Sequence, residues 1–434
     1  MQANGFKRIA LQGWRQFEDV DIELHDRLTI ITGANGAGKS SLLRIFSRHF
    51  GFDRPYLATP VLKDGKYIFS AGVFVSLFRR VSKIVFDTPS SSHMVGELHY
   101  SNGQKTGLHI PEASSVAMHL QLQKAQTVEG VHIDSHQPVS TYQLLSNIPA
   151  NVLTAEQMYH SYFNEVTQKY NGNHTGSSPL FRMKEAIVAM AVFGEGNSRS
   201  VGNPALLMAL NSFIGILEKV LPPSLGFLDL VVRGPEIVVK TSTGEFLLDA
   251  ASGGVATLFD MAFRLHMFSL GRESFVVTID EPENHLHPSM QRSLMPRLLD
   301  AFPKAQFVVA THSPFIVSSV RESAVYVLRY NHLEKRNIDG FVPETTSSRV
   351  ISELLDTVNK SSTANEILRE VLGVEATVPE WVSEAVRSIV NRYGAKTLST
   401  QVLGDLRSEL KELGYESQYP SAMADLVRLH DQAN

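Results

Sequence analysis

Apolar residues in the first fifty positions fall into three short runs, Lys7–Gln12, Val20–Leu24 and Leu28–Thr32, the second alternating and the third unbroken. Runs of that length and period predict strands. The third leads straight into Gly33. After a glycine-rich turn, SSLLRIFSRHF sets Leu42, Leu43, Ile45 and Phe46 at helical spacing, so a helix is expected to begin near Lys39. The opening unit is strand, phosphate-sized loop, helix.

From residue 52 to 226 the pattern is irregular. GELHYSNGQKTGLHI reads as a hairpin around Asn102-Gly103, amphipathic helices are expected near Thr154–Lys169 and Pro204–Val220, and Asn171–Ser178 reads as a loop. Phe227–Arg233 and Glu236–Thr241 flank Gly234-Pro235 as a second hairpin. Between Ala250 and Val320 the order is turn, helix, strand SFVVTID, helix, strand AQFVVAT and turn. Apolar strands alternating with helices predict a parallel sheet covered on both faces. Beyond Thr345 the composition turns helical, as in EWVSEAVRSIVNRY and LGDLRSELKELGY, with no repeat or low-complexity tract.

At 434 residues the chain has room for two or three domains, and 43% hydrophobic with 19% charged residues excludes a disordered or collagen-like polymer. Forty Lys and Arg against 44 Asp and Glu give a net charge of −4, which argues against a general coat of phosphate-binding charge but is compatible with a local basic groove. The absence of cysteine removes disulfides, thiolate catalysis and Cys-based metal sites. MQANGFKRIALQGW lacks a signal-peptide core and no apolar run is long enough to span a bilayer, so a cytoplasmic protein with no membrane partner is expected.

Candidate chemistry changes this picture. Gly33-Ala34-Asn35-Gly36-Ala37-Gly38-Lys39-Ser40 matches GxxxxGK[ST], between a strand and a helix as the motif requires. The glycines let backbone N–H groups curl around phosphate oxygens, and the following helix N-terminus favours anions. The nucleotide-binding set is Gly33, Asn35, Gly36, Gly38, Lys39, Ser40 and Ser41, with Lys39 expected on the β- and γ-phosphates of ATP and Ser40 on Mg²⁺. Phe275–Glu281 is a buried-type strand ending in two acids, of which Asp280 would orient Mg²⁺ and Glu281 polarise water. His312, after the next apolar strand, would sense the γ-phosphate at the same sheet edge. Ala251-Ser252-Gly253-Gly254-Val255 offers a hydroxyl and a helix N-terminus to an anion. Taken singly, an acid pair at a strand end reads as a solvated turn, a lone histidine as structural, and SGG as a helix cap. Their order beside a phosphate loop is what makes them a site.

That order resembles the ABC-type ATPases, a class that includes transporter motors, SMC proteins, RecF and the OLD-like ATPases. Lys39 and Asp280 are separated by 280 − 39 = 241 residues, enough for a sizeable insertion and too few for the longest coiled coils of that class. Asp280-Glu281-Pro282-Glu283-Asn284-His285-Leu286-His287-Pro288 and the early Gly13-Trp14-Arg15-Gln16-Phe17 look most like the OLD-like branch. The resemblance implies an α/β fold, an ABC-type P-loop ATPase with a mixed sheet flanked by helices, a helical and β insertion and an α-helical tail. The expected segments are 1–51 and 227–344 for the ATPase core, 52–226 for the insertion and 345–434 for the helical region. It also implies that Ser252, Gly253 and Gly254 reach the γ-phosphate on a second protomer in a homodimer or higher oligomer closed by an ATP sandwich. Arg15 would approach the nucleotide, and Asn284-His285-Leu286 would form the turn that crosses the dimer. His285 and His287 could instead be a metal pair or a plain polar turn. The signature departs from the family at Ala251 and Val255, and Gln137 is the candidate for the Gln-loop. Motif resemblance covers roughly residues 5–50 and 245–320.

Full-length OLD-like nucleases carry a Toprim domain that needs a Glu and an Asp-x-Asp, yet the D-x-D in this chain is Asp19/Asp21, at the opposite end. The implied arrangement is an ATP-hydrolysing sensor subunit whose partner is a separate effector, a Toprim- or HNH-type nuclease, released on detection of a viral trigger protein. That division resembles the PARIS anti-phage system first and the Septu system second. The rivals are a RecF- or SMC-like repair ATPase binding duplex DNA, which a steep salt dependence would reveal, and a transporter motor.

Overall fold

Strands covered on both faces have no polar side to show, and Leu28–Gly33, Phe275–Asp280 and Ala305–Ala310 are buried at every position. In the computed structural model, which describes residues 5–63, 65–73, 92–112, 114–135, 142–147, 154–331, 349–356, 364–372, 380–394 and 399–433, they form part of an eleven-stranded sheet. In chain order its strands are β1 (Phe6–Trp14), β2 (Phe17–Glu23), β3 (Leu28–Gly33), β4 (Ser92–Tyr100), β5 (Lys105–Pro111), β6 (Gln121–Gln123), β7 (Gly130–Ile133), β8 (Phe275–Asp280), β9 (Ala305–Ala310), β10 (Ala324–Asn331) and β11 (Arg349–Leu354). They lie in the order β6-β5-β4-β1-β2-β11-β10-β3-β9-β8-β7. The five strands from β10 to β7 are parallel, those from β6 to β2 antiparallel, and β11 joins the halves, parallel to β2 and antiparallel to β10.

Helices flank this sheet: α1 (Lys39–Ser47), α2 (Ala155–Tyr170), α3 (Pro179–Glu195), α4 (Pro204–Val220), α5 (Gly253–Ser269) and α6 (Pro288–Ala301). Thr154 and Ser178 cap α2 and α3 by accepting from Gln157 N and Phe181 N. This is the α/β architecture expected, a mixed sheet flanked by helices with the glycine-rich loop between β3 and α1. Asp280 pairs with Ala310, and Ala310 with Ile31, so β3, β8 and β9 end at one edge of the sheet. Ligands of parallel α/β sheets bind at that carboxyl edge.

The structure extends the sequence reading and in places differs from it. The parallel sheet expected from residues 250–320 is one half of a mixed one. The Asn102-Gly103 hairpin forms as β4 and β5, but with Leu98, Tyr100, Leu108 and Ile110 buried it docks on β1 and continues the main sheet. The stretch 52–226 thus contributes four of the sheet's strands, with β7 closing the opposite edge. β11 arises from sequence that reads as helical; Val350 is its one buried residue, and pairing on both sides fixes it where an apolar run does not. The strands Phe227–Arg233 and Glu236–Thr241 form as expected and gain a third, Gly244–Leu247, in a sheet of their own.

The compact units divide after Ala364, so β11 lies in the first unit with the main sheet and not in the helical region expected from residue 345. The second unit contains α7 (Glu380–Gly394), α8 (Thr400–Glu412) and α9 (Tyr419–Ala433), joined by a small core of Ile389, Val390, Tyr393, Leu406, Leu410, Ala422 and Leu426. Among the described residues no helix is long and apolar enough to cross a membrane.

Within the first unit a buried charge ties α5 to its surroundings. Arg264 donates to Asp260 Oδ2 at 2.9 Å, to the Tyr162 hydroxyl at 3.1 Å and to the carbonyl of His132 on β7 at 3.1 Å. It is 6% exposed. Removing one member of a buried pair strands the other, so Arg264→Met is expected to lower stability by about 3–5 kcal/mol. Urea midpoints of the two proteins check this, and a loss under about 1 kcal/mol would show that the pair is dispensable.

Candidate functional site

The loop between β3 and α1 is shaped by glycines that nothing else can replace. Gly33 has φ 141° and a Cβ there would lie 2.4 Å from the Leu328 carbonyl oxygen; Gly38 has φ 102° and a Cβ would strike Gln16 and Phe17. The chain therefore turns tightly into α1 at Lys39. Lys39 Nζ donates to the carbonyls of Gly33 at 3.0 Å and Ala34 at 3.1 Å, and lies 3.4 Å from His312 Nδ1. Burial pulls this ammonium down to about 8, against the opposing fields of Glu281, Asp280 and Glu283. Asn35 and Gly36 are exposed, with Tyr330 donating to the Asn35 carbonyl at 3.4 Å.

Across the sheet edge, Asp280 ends β8 and is 5% exposed. Burial pushes its carboxyl up to about 6, although a hydrogen bond from Ser40 and the charge of Lys39 pull the other way. Its Oδ1 is buried without a hydrogen-bond partner, an arrangement that fits a cation. Among the described residues no group of three or more His, Asp or Glu side chains is placed to hold a metal alone. Glu281 follows with φ 49°, a left-handed conformation that non-glycine residues adopt at a cost of about 1–3 kcal/mol and that clusters at functional sites. Its N–H donates to the Ala310 carbonyl at 2.8 Å, and its carboxylate receives Asn284 Nδ2 at 3.2 Å. His312 Nε2 faces Glu281 Oε1 at 3.6 Å. Donation from the Lys39 ammonium to Nδ1 of His312 would put the ring proton on Nε2, toward Glu281. Burial and then the Lys39 charge lower the His312 pKa, against the field of Glu281.

Lys39, Ser40, Asp280, Glu281 and His312 thus converge. Ser252, Gly253 and Gly254 do not join them: they open α5, Ser252 and Gly253 are exposed, and the Ser252 side chain makes no cap bond. Gly254 instead rests on the turn after β8, where a Cβ would lie 2.8 Å from the His285 carbonyl oxygen. His287 caps α6 by accepting from Ser289 N at 3.3 Å. Arg15, with φ 54°, sets its guanidinium over the Tyr56 ring at 5.6 Å, and the Tyr56 hydroxyl donates to the Ser41 carbonyl at 3.0 Å. Gln137 lies outside the described residues. Sequence reasoning gave no role to Glu283 and Gln291, which hold the residues around His312, nor to Asp134, whose charge bears on Asp280. The signal for Glu283 was its place inside Asp-Glu-Pro-Glu-Asn. For Asp134 it was the pairing of β7 with β8, which no local pattern announces.

Two family models match the chain: "AAA domain" over residues 8–53 and "AAA domain, putative AbiEii toxin, Type IV TA system" over 153–318. The chain is 22% identical over 384 residues to the retron Ec83 probable ATPase of Escherichia coli, covering 74% of this chain and 71% of that protein. It is 29% identical over 136 residues to the retron Vc95 probable ATPase of Vibrio cholerae, 30% of this chain and 25% of that protein. With the Septu protein PtuA of Bacillus mycoides it shares 33% identity over 101 residues, 22% of this chain and 14% of that protein. Over these segments the chain is similar to AAA domains, to the two retron probable ATPases and to PtuA. Its match takes in well under two thirds of the Vibrio and Bacillus relatives. The SMC head domain from Thermotoga maritima overlaps with TM-score 0.38 at 14% identity, covering 82% of this chain and all of that one.

The buried carboxyl yields a pH signature. Asp280 titrates near 6 in the fold against 3.8 when exposed, so between those values the folded chain keeps a proton that the unfolded chain releases. The resulting loss of stability is absent below about pH 4 and complete above about pH 6. Asp280→Asn is therefore expected to stabilise the nucleotide-free protein by about 1–3 kcal/mol at pH 7.5 and by nothing near pH 4. Denaturant midpoints at the two pH values check it.

Proposed function

We propose that this chain binds ATP with Mg²⁺, hydrolyses it between two copies in an ATP sandwich, and is the sensor and scaffold subunit of an anti-phage defence system. In this role it holds a separate Toprim- or HNH-type nuclease effector until a viral trigger protein is met. The carrying observation is the convergence at one sheet edge of a desolvated Lys39 with a buried Asp280 whose Oδ1 lacks a partner.

In this reading the backbone amides of Gly33–Ser41 and the Lys39 ammonium bind the phosphates. Ser40 and Asp280 hold Mg²⁺, which when bound supplies charge neutralisation at the phosphate oxygens. Glu281, fixed by Asn284 and by its own backbone bond to Ala310, orients the water that attacks the γ-phosphate and draws its proton. His312 sits beside Glu281 and Lys39, where its Nε2 proton is available to a terminal phosphate oxygen. The exposed Ser252 and Gly253, at the N-terminus of a seventeen-residue helix, face outward for the phosphate on a second copy. Arg15 reaches the same loop through Tyr56 and Ser41.

The defence role is supported by the relatives, which carry the names of retron and Septu systems. A division between ATPase and effector resembles PtuA with its nuclease and the PARIS subunit AriA with its Toprim partner. The named relatives favour the former model for this chain.

Glu281→Gln is expected to keep ATP bound while turnover falls about 10²–10⁴-fold, and Lys39→Ala to lose binding itself. Phosphate release and equilibrium binding of a fluorescent ATP analogue measure the two. Turnover unaffected by Glu281→Gln would refute the site. Purification with neighbouring gene products tests the role: a nuclease co-purifying supports it, whereas duplex DNA retained with steep salt dependence and no protein partner would move the chain to the repair class.

A further inference from the structure

Three consecutive residues of the loop that follows β9 are gripped by the segment that follows β8. Glu283 Oε2 accepts the Thr311 hydroxyl at 2.8 Å, and Oε1 accepts the His312 N–H at 2.6 Å. Gln291, on α6, accepts the Ser313 hydroxyl at 2.6 Å through Oε1 and donates to the Leu286 carbonyl at 2.9 Å. The His312 ring itself has weaker moorings, 3.4 Å to Lys39 and 3.6 Å to Glu281. At those separations a hydrogen bond is long or absent. The ring is therefore aimed by its backbone, and its backbone is held by Glu283.

The gripping segment also touches the signature turn. Gly254 packs against the His285 carbonyl closely enough that a Cβ would be excluded, and Asn284 Nδ2 bridges the Ser135 carbonyl at 3.1 Å and Glu281 at 3.2 Å. A continuous path runs from the exposed start of α5 through residues 283–286 to Thr311–Ser313. We infer that Glu283 and Gln291 are positioning residues that lock the 311–313 loop, and with it the His312 ring, to the turn on which the signature rests. A second copy seated on Ser252 and Gly253 then bears on His312 through these bonds. The inference deepens the proposed ATPase reading and rests on it for its kinetic consequence.

Glu283→Ala removes both acceptors and is expected to lower kcat about 10–100-fold while changing the affinity for a fluorescent ATP analogue less than about 3-fold. Glu283→Gln keeps an oxygen for the His312 N–H and offers its amide to the Thr311 hydroxyl, so it should return kcat to within about 3-fold of the parent, which no proton-transferring carboxylate would allow. Thr311→Val, which removes one hydroxyl and no charge, serves should the alanine chain fail to fold, with an expected loss of about 3–10-fold, and Thr311→Ser should restore it. The double variant Glu283→Ala with Thr311→Val should be no slower than Glu283→Ala alone. Additive losses, or a loss confined to nucleotide affinity, would overturn the assignment. Hydrogen exchange of the nucleotide-free protein over residues 311–313 gives a reading independent of hydrolysis: at least about 10-fold faster exchange in Glu283→Ala or Thr311→Val supports the grip. Unchanged exchange overturns it, even if the parent proves an active ATPase. A parent that hydrolyses nothing but shows the exchange difference would sink the ATPase reading and leave the grip standing.

Discussion

Register between three adjacent parallel strands governs the candidate site. Because Asp280 pairs with Ala310 and Ala310 with Ile31, the chain leaves β3, β8 and β9 at the same level of the sheet. The loops that follow must share one small volume, and within it Lys39 and Asp280 are shielded from water. Dryness has opposite effects on opposite charges: it lowers Lys39 and raises Asp280, each toward its neutral form. At Lys39 desolvation outweighs the carboxylates that favour its charge, whereas at Asp280 the charges of Glu281 and Asp134 add to desolvation, against the Ser40 hydrogen bond and Lys39. Charges kept under such conditions mark places where the fold gives up stability to prepare for a ligand.

A similar logic runs through the contacts that hold α5. Lys184 of α3 is buried against Glu236 at 3.1 Å and Asp249 at 2.7 Å, and Asp249 lies three residues before Ser252. Farther along α5, Arg264 binds the carbonyl of His132 on β7, the strand beside β8. The helix that begins with the signature is thus pinned ahead of its first turn by one ion pair and along its length by another. Buried pairs add little net stability compared with apolar packing, but they permit few alternative arrangements. The exposed end of α5 is therefore presented from a fixed base, which is what the proposed contact with a second copy requires.

What could be read in the sequence divides along the same physical line. The phosphate loop, the Asp280-Glu281 strand and the His312 loop were legible because local chemistry dictates them: positive φ demands glycine, and a strand covered on both faces must be apolar throughout. The helix Pro204–Val220 and the hairpin strands Phe227–Arg233 and Glu236–Thr241 matched residue for residue, since each is bounded by its own cap or turn. α3 gave no such signal: Met183, Ile187, Val188 and Met190 are buried around its circumference, so no amphipathic stripe appears. β11 and β7 are strands by virtue of their neighbours, and only tertiary pairing reveals them. Glu283 was visible as a letter in a motif but not as a grip, because its partners lie 28 and 29 positions away in the chain.

This distinction also bears on why one site can serve many biological ends. The bonds that aim Lys39, Asp280, Glu281 and His312 are consequences of strand register and of loops that cannot lengthen without losing it. The family models accordingly bracket these elements, at 8–53 and 153–318, and omit residues 54–152 that supply β4 to β7. Those strands extend the sheet at its edges, where added or altered segments leave the central register untouched. On the proposed ATPase reading, partner recognition can therefore change on the periphery while the residues of the site stay where β3, β8 and β9 put them, so that the shared sheet edge carries no information about the partner.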